Sequence, residues 1–218
     1  MNTGELVALL RSEIVHFNHE LVSDSEMIRY LDEAYKMFFR LNGGITDMDS
    51  IVTELDVEAG EYEVNLHPSI LRINQAVRRS DGEAVQVRNY PEMINEDGVA
   101  NLLRETGKVE MMLVGVKPHY ARWVPIPSEN DIVDLIVERL PLKNLTESNS
   151  SLSELDEIHH IPLLDWVKSR LFKRPGAGFF NLNLAASFEA QFREYCLQAA
   201  MEKSRFKSKV RTVTYGGI

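Results

Sequence analysis

The chain has 218 residues, of which 44% are hydrophobic and 26% charged, and its formal net charge is −9 at pH 7. This composition is typical of a globular protein with a hydrophobic core, and the single cysteine, Cys196, excludes an internal disulfide and indicates a reducing compartment. No apolar run of about 18 residues occurs and the N-terminal segment contains Glu5, so we expect neither a membrane span nor a signal peptide but a soluble, intracellular protein.

Two amphipathic helices are predicted in the first 45 residues. Thr3 is a candidate cap for a first helix, whose apolar residues recur at helical spacing as far as Phe17. Ser23 and Glu26 form a capping-box pattern before a second helix, which Gly43-Gly44 ends. Each predicted helix has one apolar stripe, so each must pack on another element.

The periodicity changes from helical to alternating between residues 45 and 141, which predicts strands. A β-hairpin is expected over 70–90, where Ser80-Asp81-Gly82-Glu83 forms the turn. Further strands are expected over 109–116 and 132–137, with a short helix between residues 91 and 106. Because Pro118, Pro125 and Pro127 separate the last two strands, we expect these strands to lie at an edge or to be joined by an irregular loop.

Helical periodicity returns over 161–172 and 181–205, with a compact connector at 174–178. Two amphipathic pairs that flank an insertion can each bury their stripes in one bundle. The sequence therefore predicts an α+β fold. Its parts are a discontinuous bundle of about four helices (1–45 and 156–205), an inserted β-rich domain (46–141), a polar, flexible connection or exposed loop (142–155) and an extended C-terminal tail (206–218).

His159-His160 and the nearby acidic residues form the only cluster of metal-ligand residue types in the sequence. Glu157 and His160 can share a helix face, but the other helices offer only scattered ligands such as His16 and His19. We therefore expect histidines that pack or hydrogen bond locally, with no metal and no cofactor. A metal protein or enzyme at this cluster remains the alternative.

No motif for nucleophilic, phosphate-binding or metal-dependent catalysis occurs, so the sequence does not predict an enzyme. Cys196 lies on the apolar side of a predicted helix, where a free cysteine acts as a small buried hydrophobe. Seven acidic residues lie between Asp47 and Glu63. We interpret them as a solvated surface, with a repulsive surface or a divalent-ion site as alternatives.

The C-terminal end differs in charge from the rest of the chain. Residues 202–218 carry a net charge of +4, which leaves −13 on the preceding 201 residues. If this end is extended, its cations lie on one side and Phe206 and Val210 on the other, which suits docking along an acidic groove or strand addition. The alternatives are a frayed terminus and a nucleic-acid-binding module, for which Phe206 and Tyr215 give a thin stacking platform.

Several segments together resemble the head-to-tail adaptor (connector) proteins of tailed bacteriophages. None of them is a chemical motif, so the resemblance is one of architecture and composition. The segments are Leu31-Asp32-Glu33-Ala34-Tyr35, Leu71-Arg72-Ile73-Asn74-Gln75-Ala76 with Ser80-Asp81-Gly82, Glu138-Arg139-Leu140-Pro141, His159-His160-Ile161-Pro162-Leu163-Leu164-Asp165-Trp166, and Val210-Arg211-Thr212-Val213-Thr214-Tyr215-Gly216-Gly217-Ile218.

The resemblance implies a structural virion protein at the head–tail junction, assembled in the host cytoplasm, without membrane contact. It implies a homo-oligomeric ring of about twelve copies beneath the portal protein, through which DNA passes without specific binding. The inserted domain would receive a downstream tail protein, a nozzle or tube, although its length leaves contacts with spikes or fibres open. The C-terminal end would grip the portal through Lys203, Arg205, Phe206, Lys207, Lys209, Val210, Arg211, Val213, Tyr215 and Ile218.

Overall fold

The computed structural model describes residues 1–14, 22–93, 99–175 and 180–207. Its fold is mixed α+β, as the sequence predicts, and the chain divides into two units. The helical unit comprises Met1–Gly43 and Lys143–Ile218, and the β unit comprises Gly44–Leu142. None of the described helices is both long and apolar enough to cross a membrane.

The regular elements follow one another in an order that separates helices from strands. Two single-turn 3-10 helices, Ile51–Thr53 and Glu157–His159, complete the set. In chain order the elements are α1 (Thr3–Glu13), α2 (Asp24–Leu41), β1 (Ile45–Asp47), β2 (Glu54–Val57), β3 (Glu63–Asn65), β4 (Ile70–Arg78), β5 (Ala84–Asn89), α3 (Tyr90–Met93), α4 (Val99–Leu102), β6 (Thr106–Gly107), β7 (Met111–Val114), β8 (Tyr120–Val124), β9 (Ile126–Pro127), β10 (Asp131–Arg139), α5 (Leu163–Phe172) and α6 (Leu182–Lys207).

The first two helices begin at side-chain caps. The N-cap of α1 is Asn2, so the predicted cap at Thr3 is wrong by one residue. The Asn2 side chain accepts from the Glu5 backbone N–H, and the Glu5 carboxylate accepts from the Asn2 N–H, both at 2.9 Å. This reciprocal capping box satisfies two N–H groups that the helix leaves unpaired. Ser23 caps α2 as predicted and accepts from the Glu26 N–H at 3.2 Å.

The first two helices end at different kinds of residue. Gly43 follows the C-cap of α2 with a φ of +86°, a left-handed conformation that favours glycine, which confirms the predicted helix end. The described part of α1 ends at Glu13, with Ile14 as its C-cap. Phe17, the predicted last apolar position of this helix, lies outside the described residues.

The helical unit buries its apolar stripes between helices. The second helix, α2, packs against α5 and α6, α5 packs against α6, and α1 contacts α2. Trp166 and Phe192 contact each other across α5 and α6, with ring centroids 5.2 Å apart. Fully buried side chains from all four helices fill the interior; they include Leu6, Leu10, Leu31, Phe38, Leu163, Val167 and Phe192.

The connection over 142–155 lacks regular secondary structure, but it is held against the helices. Leu145, Leu152 and Leu155 are buried. The Leu145 N–H donates to Asp32 on α2, and the Thr3 N–H donates to the carbonyl of Ser150. Most other residues of the segment are exposed, in agreement with the predicted exposed loop, but its three leucines are buried at positions that a count of polar residues does not reveal.

The β unit consists mainly of an eight-stranded sheet with the order β1-β10-β4-β5-β7-β8-β3, in which β2 also pairs with β10. All pairs in this sheet are antiparallel except β5 with β7, and the short strands β6 and β9 form a separate parallel pair. The core of the unit is formed by residues that alternate along the strands; they include Leu55, Val57, Met112, Trp123, Val133, Leu135 and Val137.

The predicted hairpin is confirmed. Strands β4 and β5 pair with Ala76 opposite Val85, and Gly82 in the turn has a φ of +72°. The last two predicted strands do not lie at an edge, and the segment that joins them is not wholly an irregular loop, because it contains β8 and β9. Strand β8 lies between them in the chain and pairs with β7, while β10 is flanked by β4 on one side and by β1 and β2 on the other. Pro118 and Pro125 flank β8 without interrupting it, so the prolines delimit a strand.

The remaining helix predictions differ from the structure in detail. A single short helix was expected between residues 91 and 106; two one-turn helices, α3 and α4, occur there, and residues 94–98 lie outside the described part. The connector at 174–178 is described only as far as Pro175. Helix α6 continues to Lys207, two residues into the predicted tail, since Met, Glu, Lys and Arg favour helix.

Candidate interface surfaces

Helix α6 has 26 residues, and over residues 182–205 it buries a narrow stripe and exposes most of its other side chains. The buried stripe is formed by Ala185, Phe192, Cys196 and Ala199. On a different side of the helix, Leu197 and Met201 are 55% and 62% exposed. Residues four apart on a helix lie on one face, so these two side chains form one apolar patch, which we call the α6 patch.

A second apolar patch lies where the chain enters α5. Ile158 belongs to the 3-10 helix Glu157–His159 and is 73% exposed, and Ile161 follows it with 55% exposure. We call these two exposed isoleucines at the entry to α5 the isoleucine patch. The exposed carboxylates of Asp156 and Glu157 lie beside it in the chain.

The two histidines fix this turn in place. His160 is buried, and its Nε2 lies 3.0 Å from the carbonyl of Leu155. The His159 Nδ1 lies 2.8 Å from the hydroxyl of Tyr195 on α6, and its ring packs on Phe38 with centroids 4.9 Å apart. Burial lowers the pKa of His159, although the negative charges of Asp156 and Glu202 oppose the shift. The histidines therefore pack and hydrogen bond locally, as predicted.

The cysteine and the metal-ligating residue types form no reactive arrangement among the described residues. Cys196 is fully buried on α6, and burial raises the pKa of its thiol to about 12. A thiol in this state is an inert hydrophobic side chain at neutral pH. Among the described residues, no three His, Cys, Asp or Glu side chains are grouped so that they could hold a metal ion.

The acidic segment between Asp47 and Glu63 separates into paired and exposed side chains. Asp47 pairs with Arg139, Glu54 with Arg79 at 2.9 Å, and Glu63 with Lys117 at 2.8 Å. The other four carboxylates are exposed, which agrees with simple solvation. They are those of Asp49, Asp56, Glu58 and Glu61.

One loop of this segment presents apolar side chains. Ile51 is 87% exposed and Met48 is 57% exposed. Asp47 holds the loop, because its carboxylate accepts from the backbone N–H groups of Asp49 and Ser50 at 3.1 and 3.2 Å and from the Ser50 hydroxyl at 2.6 Å. The same carboxylate accepts from the guanidinium of Arg139, and both side chains of this pair are more than 90% buried.

The predicted portal-binding residues fall in two groups. Lys203, Arg205, Phe206 and Lys207 belong to α6, where the alternation of an extended strand does not apply. Lys203 is half-buried and Arg205 is exposed. The other six lie outside the described residues; they are Lys209, Val210, Arg211, Val213, Tyr215 and Ile218.

The sequence did not single out Ile51, Met48, Ile158 or Ile161 as surface residues. Ile158 and Ile161 lie directly before the apolar stripe of α5, so periodicity alone cannot separate them from it. Ile51 lies among acidic and turn residues rather than in an alternating segment, and this position was the signal in the sequence for its exposure.

The chain thus combines a helical unit, interrupted in sequence by a β unit, with exposed apolar side chains of the kind that mark interaction surfaces. Comparison with known families shows the class of protein to which the chain belongs. The model of the SU10 adaptor protein family matches residues 1–213, and the chain belongs to this family of phage head-to-tail adaptors. The resemblance inferred from the sequence is thereby confirmed. No curated protein matches the chain.

Proposed function

We propose that the protein is a head-to-tail adaptor that forms a ring between the portal and the tail components and surrounds the DNA exit channel. The observation that carries this proposal is the match of the adaptor family over residues 1–213, which includes both units. The resemblance to adaptors implies about twelve copies, and the portal would act as the template that enforces the rotation at which a heterologous ring closes. The protein would then reside in the virion, after assembly in the host cytoplasm.

In this proposal α1, α2, α5 and α6 act as a four-helix bundle, and the C-terminal end grips the portal. Residues 202–218 carry a net charge of +4 on a chain whose total is −9. Such a segment favours an acidic groove, and its contribution is multiplied when every copy in a ring is bound. The residues proposed for this contact are Lys203, Arg205, Phe206, Lys207, Lys209, Val210, Arg211, Val213, Tyr215 and Ile218.

The β unit would receive the downstream nozzle or tube protein. Support comes from Met48 and Ile51, which are exposed on a loop that the Asp47–Arg139 pair holds in place. An apolar tip that is already ordered loses little conformational entropy when a partner covers it. The acidic body supports passage of DNA without specific binding, because carboxylates repel phosphate.

The experiment compares four forms of the protein for co-migration with portal rings of the same phage in size-exclusion chromatography. The full chain should co-migrate, and a chain ending at Lys207 should not, while its far-UV circular dichroism remains helical. Lys209→Glu with Arg211→Glu should also abolish co-migration. The matched control, Arg104→Glu with Lys143→Glu, reverses the charge of two exposed cations elsewhere in the chain and should co-migrate with the portal rings. Binding by the shortened chain would contradict the assignment of the tail.

A further inference from the structure

We propose that an extended segment of the downstream tail protein adds as a strand between β4 and β5 of the β unit. This inference rests on the proposed function, in which the β unit receives that protein, and it names the contact. It starts from the way the two strands of the hairpin separate. Strand pairing between them covers only two positions next to the turn, which are Ala76 with Val85 and Val77 with Ala84. Beyond these positions β5 pairs with β7 instead.

Two bulges in β4 explain this separation. The register of β4 against β10 shifts by one residue after Gln75 and again after Arg72, so Asn74 and Leu71 are extra residues on β4. A bulge bends the strand that carries it and increases its twist. This bending is the physical reason that β4 leaves β5 over residues 70–75, where it stays paired with β10.

A cleft of about 480 Å³ lies between the separated parts of the two strands. Its walls are residues 70–73 of β4 and 87–89 of β5. Its apolar lining belongs to the rim of the β-unit core: of the six described half-buried hydrophobic residues that pack on that core, five line the cleft. These five are Leu66, Ile70, Ile73, Val87 and Val114. The core is therefore incompletely covered at this cleft.

The backbone on both walls of the cleft is available for pairing. The Gln86 N–H donates at 2.9 Å to the carbonyl of Glu110, which lies directly before β7. Because successive residues of a strand point their backbone groups to alternate sides, the N–H and the carbonyl of Val87 point toward β4. On the opposite wall, residues 70–73 pair with β10 alone among the described strands. Two unpaired strand edges thus flank an apolar floor.

This combination identifies the occupant as an extended peptide. Its main chain can pair with both walls, while its alternate side chains cover the floor. Because the wall on β4 spans residues 70–73, we expect about four extended residues, with apolar side chains at alternate positions. The charged side chains of the lining, Arg72, Arg88 and Glu92, carry a net charge of +1, which disfavours the cationic C-terminal end of this chain. The tail protein is the partner that the proposed function assigns to this unit.

Hydrogen–deuterium exchange, read at single residues, detects strand addition directly. The probe is the purified downstream tail protein of the same phage, added to the full chain assembled on portal rings. Its binding should slow amide exchange at Val87 and within 70–73 by at least about tenfold, because a paired amide exchanges only when the contact opens. Gln86 already pairs with Glu110 and should change less, which makes it the internal control. Binding without added protection at the cleft would overturn the inference and leave the adaptor role intact.

Two variants give an independent measurement. Val87→Pro removes the N–H that points into the cleft but no hydrogen bond to β7, and it should weaken binding of the tail protein by about tenfold or more. Leu71→Asp, which places charge in the lining at a residue that is 44% exposed, should have the same effect without loss of folding. The matched control is Val116→Asp, at a 39% exposed residue of the β unit outside the lining. Equal binding of Leu71→Asp and Val116→Asp would contradict the assignment of the cleft.

The outcomes separate this inference from the proposed function. Protection of the cleft on portal rings before the tail protein is added would show that a second copy or the chain's own C-terminal end fills it, and would overturn the inference. Failure of the unmodified chain to associate with portals would refute the proposed function itself. Failure of the tail protein to bind chains already assembled on portals would refute the inference and the role of the β unit, but not the contact with the portal.

Discussion

Asp47→Asn should destabilise the β unit by about 3 kcal/mol. The Asp47 and Arg139 side chains keep only 9% and 8% of their exposure, so the substitution removes a negative charge that pairs with a buried guanidinium. Loss of one partner of a buried ion pair costs roughly 3–5 kcal/mol. We expect the lower end of that range, because the asparagine oxygen can still accept from the backbone N–H groups of Asp49 and Ser50.

The pH dependence of this effect has a definite sign. Burial alone would raise the pKa of Asp47, but hydrogen bonds from the Ser50 hydroxyl and the Arg139 guanidinium outweigh it and hold the pKa well below its ordinary value. The folded state therefore binds fewer protons than the unfolded state at acidic pH. The stabilisation is fully present above the ordinary carboxylate range and is lost as the pH falls below about 4.

Urea unfolding followed by tryptophan fluorescence measures this difference. Each unit contains one of the two tryptophans, and in a Trp166→Phe background Trp123 reports on the β unit. Asp134→Asn is the matched control, because Asp134 pairs with Arg79 at the surface and its loss should cost under about 1 kcal/mol. Equal stability of the Asp47→Asn and Asp134→Asn variants at neutral pH would refute the reasoning.

Three further results are expected. Gly44→Ala should destabilise the protein more than Gly43→Ala in denaturant titrations, and equal losses of stability would contradict this. Both residues have positive φ, but a Cβ on Gly44 would lie 3.1 Å from the Arg139 backbone, whereas a Cβ on Gly43 would meet no atom within 4 Å. Cys196 should react with a maleimide only under unfolding conditions, and fast labelling of the native protein would contradict its burial. Asn2→Ala should cost about 1 kcal/mol by loss of the capping box, measured by thermal unfolding, whereas unchanged stability would show that the cap is dispensable.

Local signals made much of the fold predictable. The end of α2 at Gly43 and the hairpin around Gly82 follow from glycine conformations that the residues themselves favour. The boundaries of α5 and α6 were predicted to within two residues from apolar periodicity. In contrast, β8 was not predicted, because its flanking prolines suggested an irregular loop. The sequence alone does not distinguish a proline that interrupts a strand from one that lies beside it.

Long-range contacts explain why the surfaces were harder to predict. Asp47 was one of seven acidic residues in a short segment, and its partner Arg139 lies 92 residues away. No local pattern distinguishes a buried, paired carboxylate from a solvated one, so the anchored loop that carries Ile51 was not predicted. The exposure of Leu197 depends in the same way on which side of α6 the other helices cover.

The native mass of the protein, measured by light scattering alone and after mixing with portal rings of the same phage, tests the adaptor role most directly. One chain has a mass of 24.9 kDa. The account predicts a gain of about twelve copies, roughly 300 kDa, on each portal ring, whatever the state of the isolated chain. No gain in mass at matched salt concentration would contradict the proposal that this protein assembles as a ring on the portal.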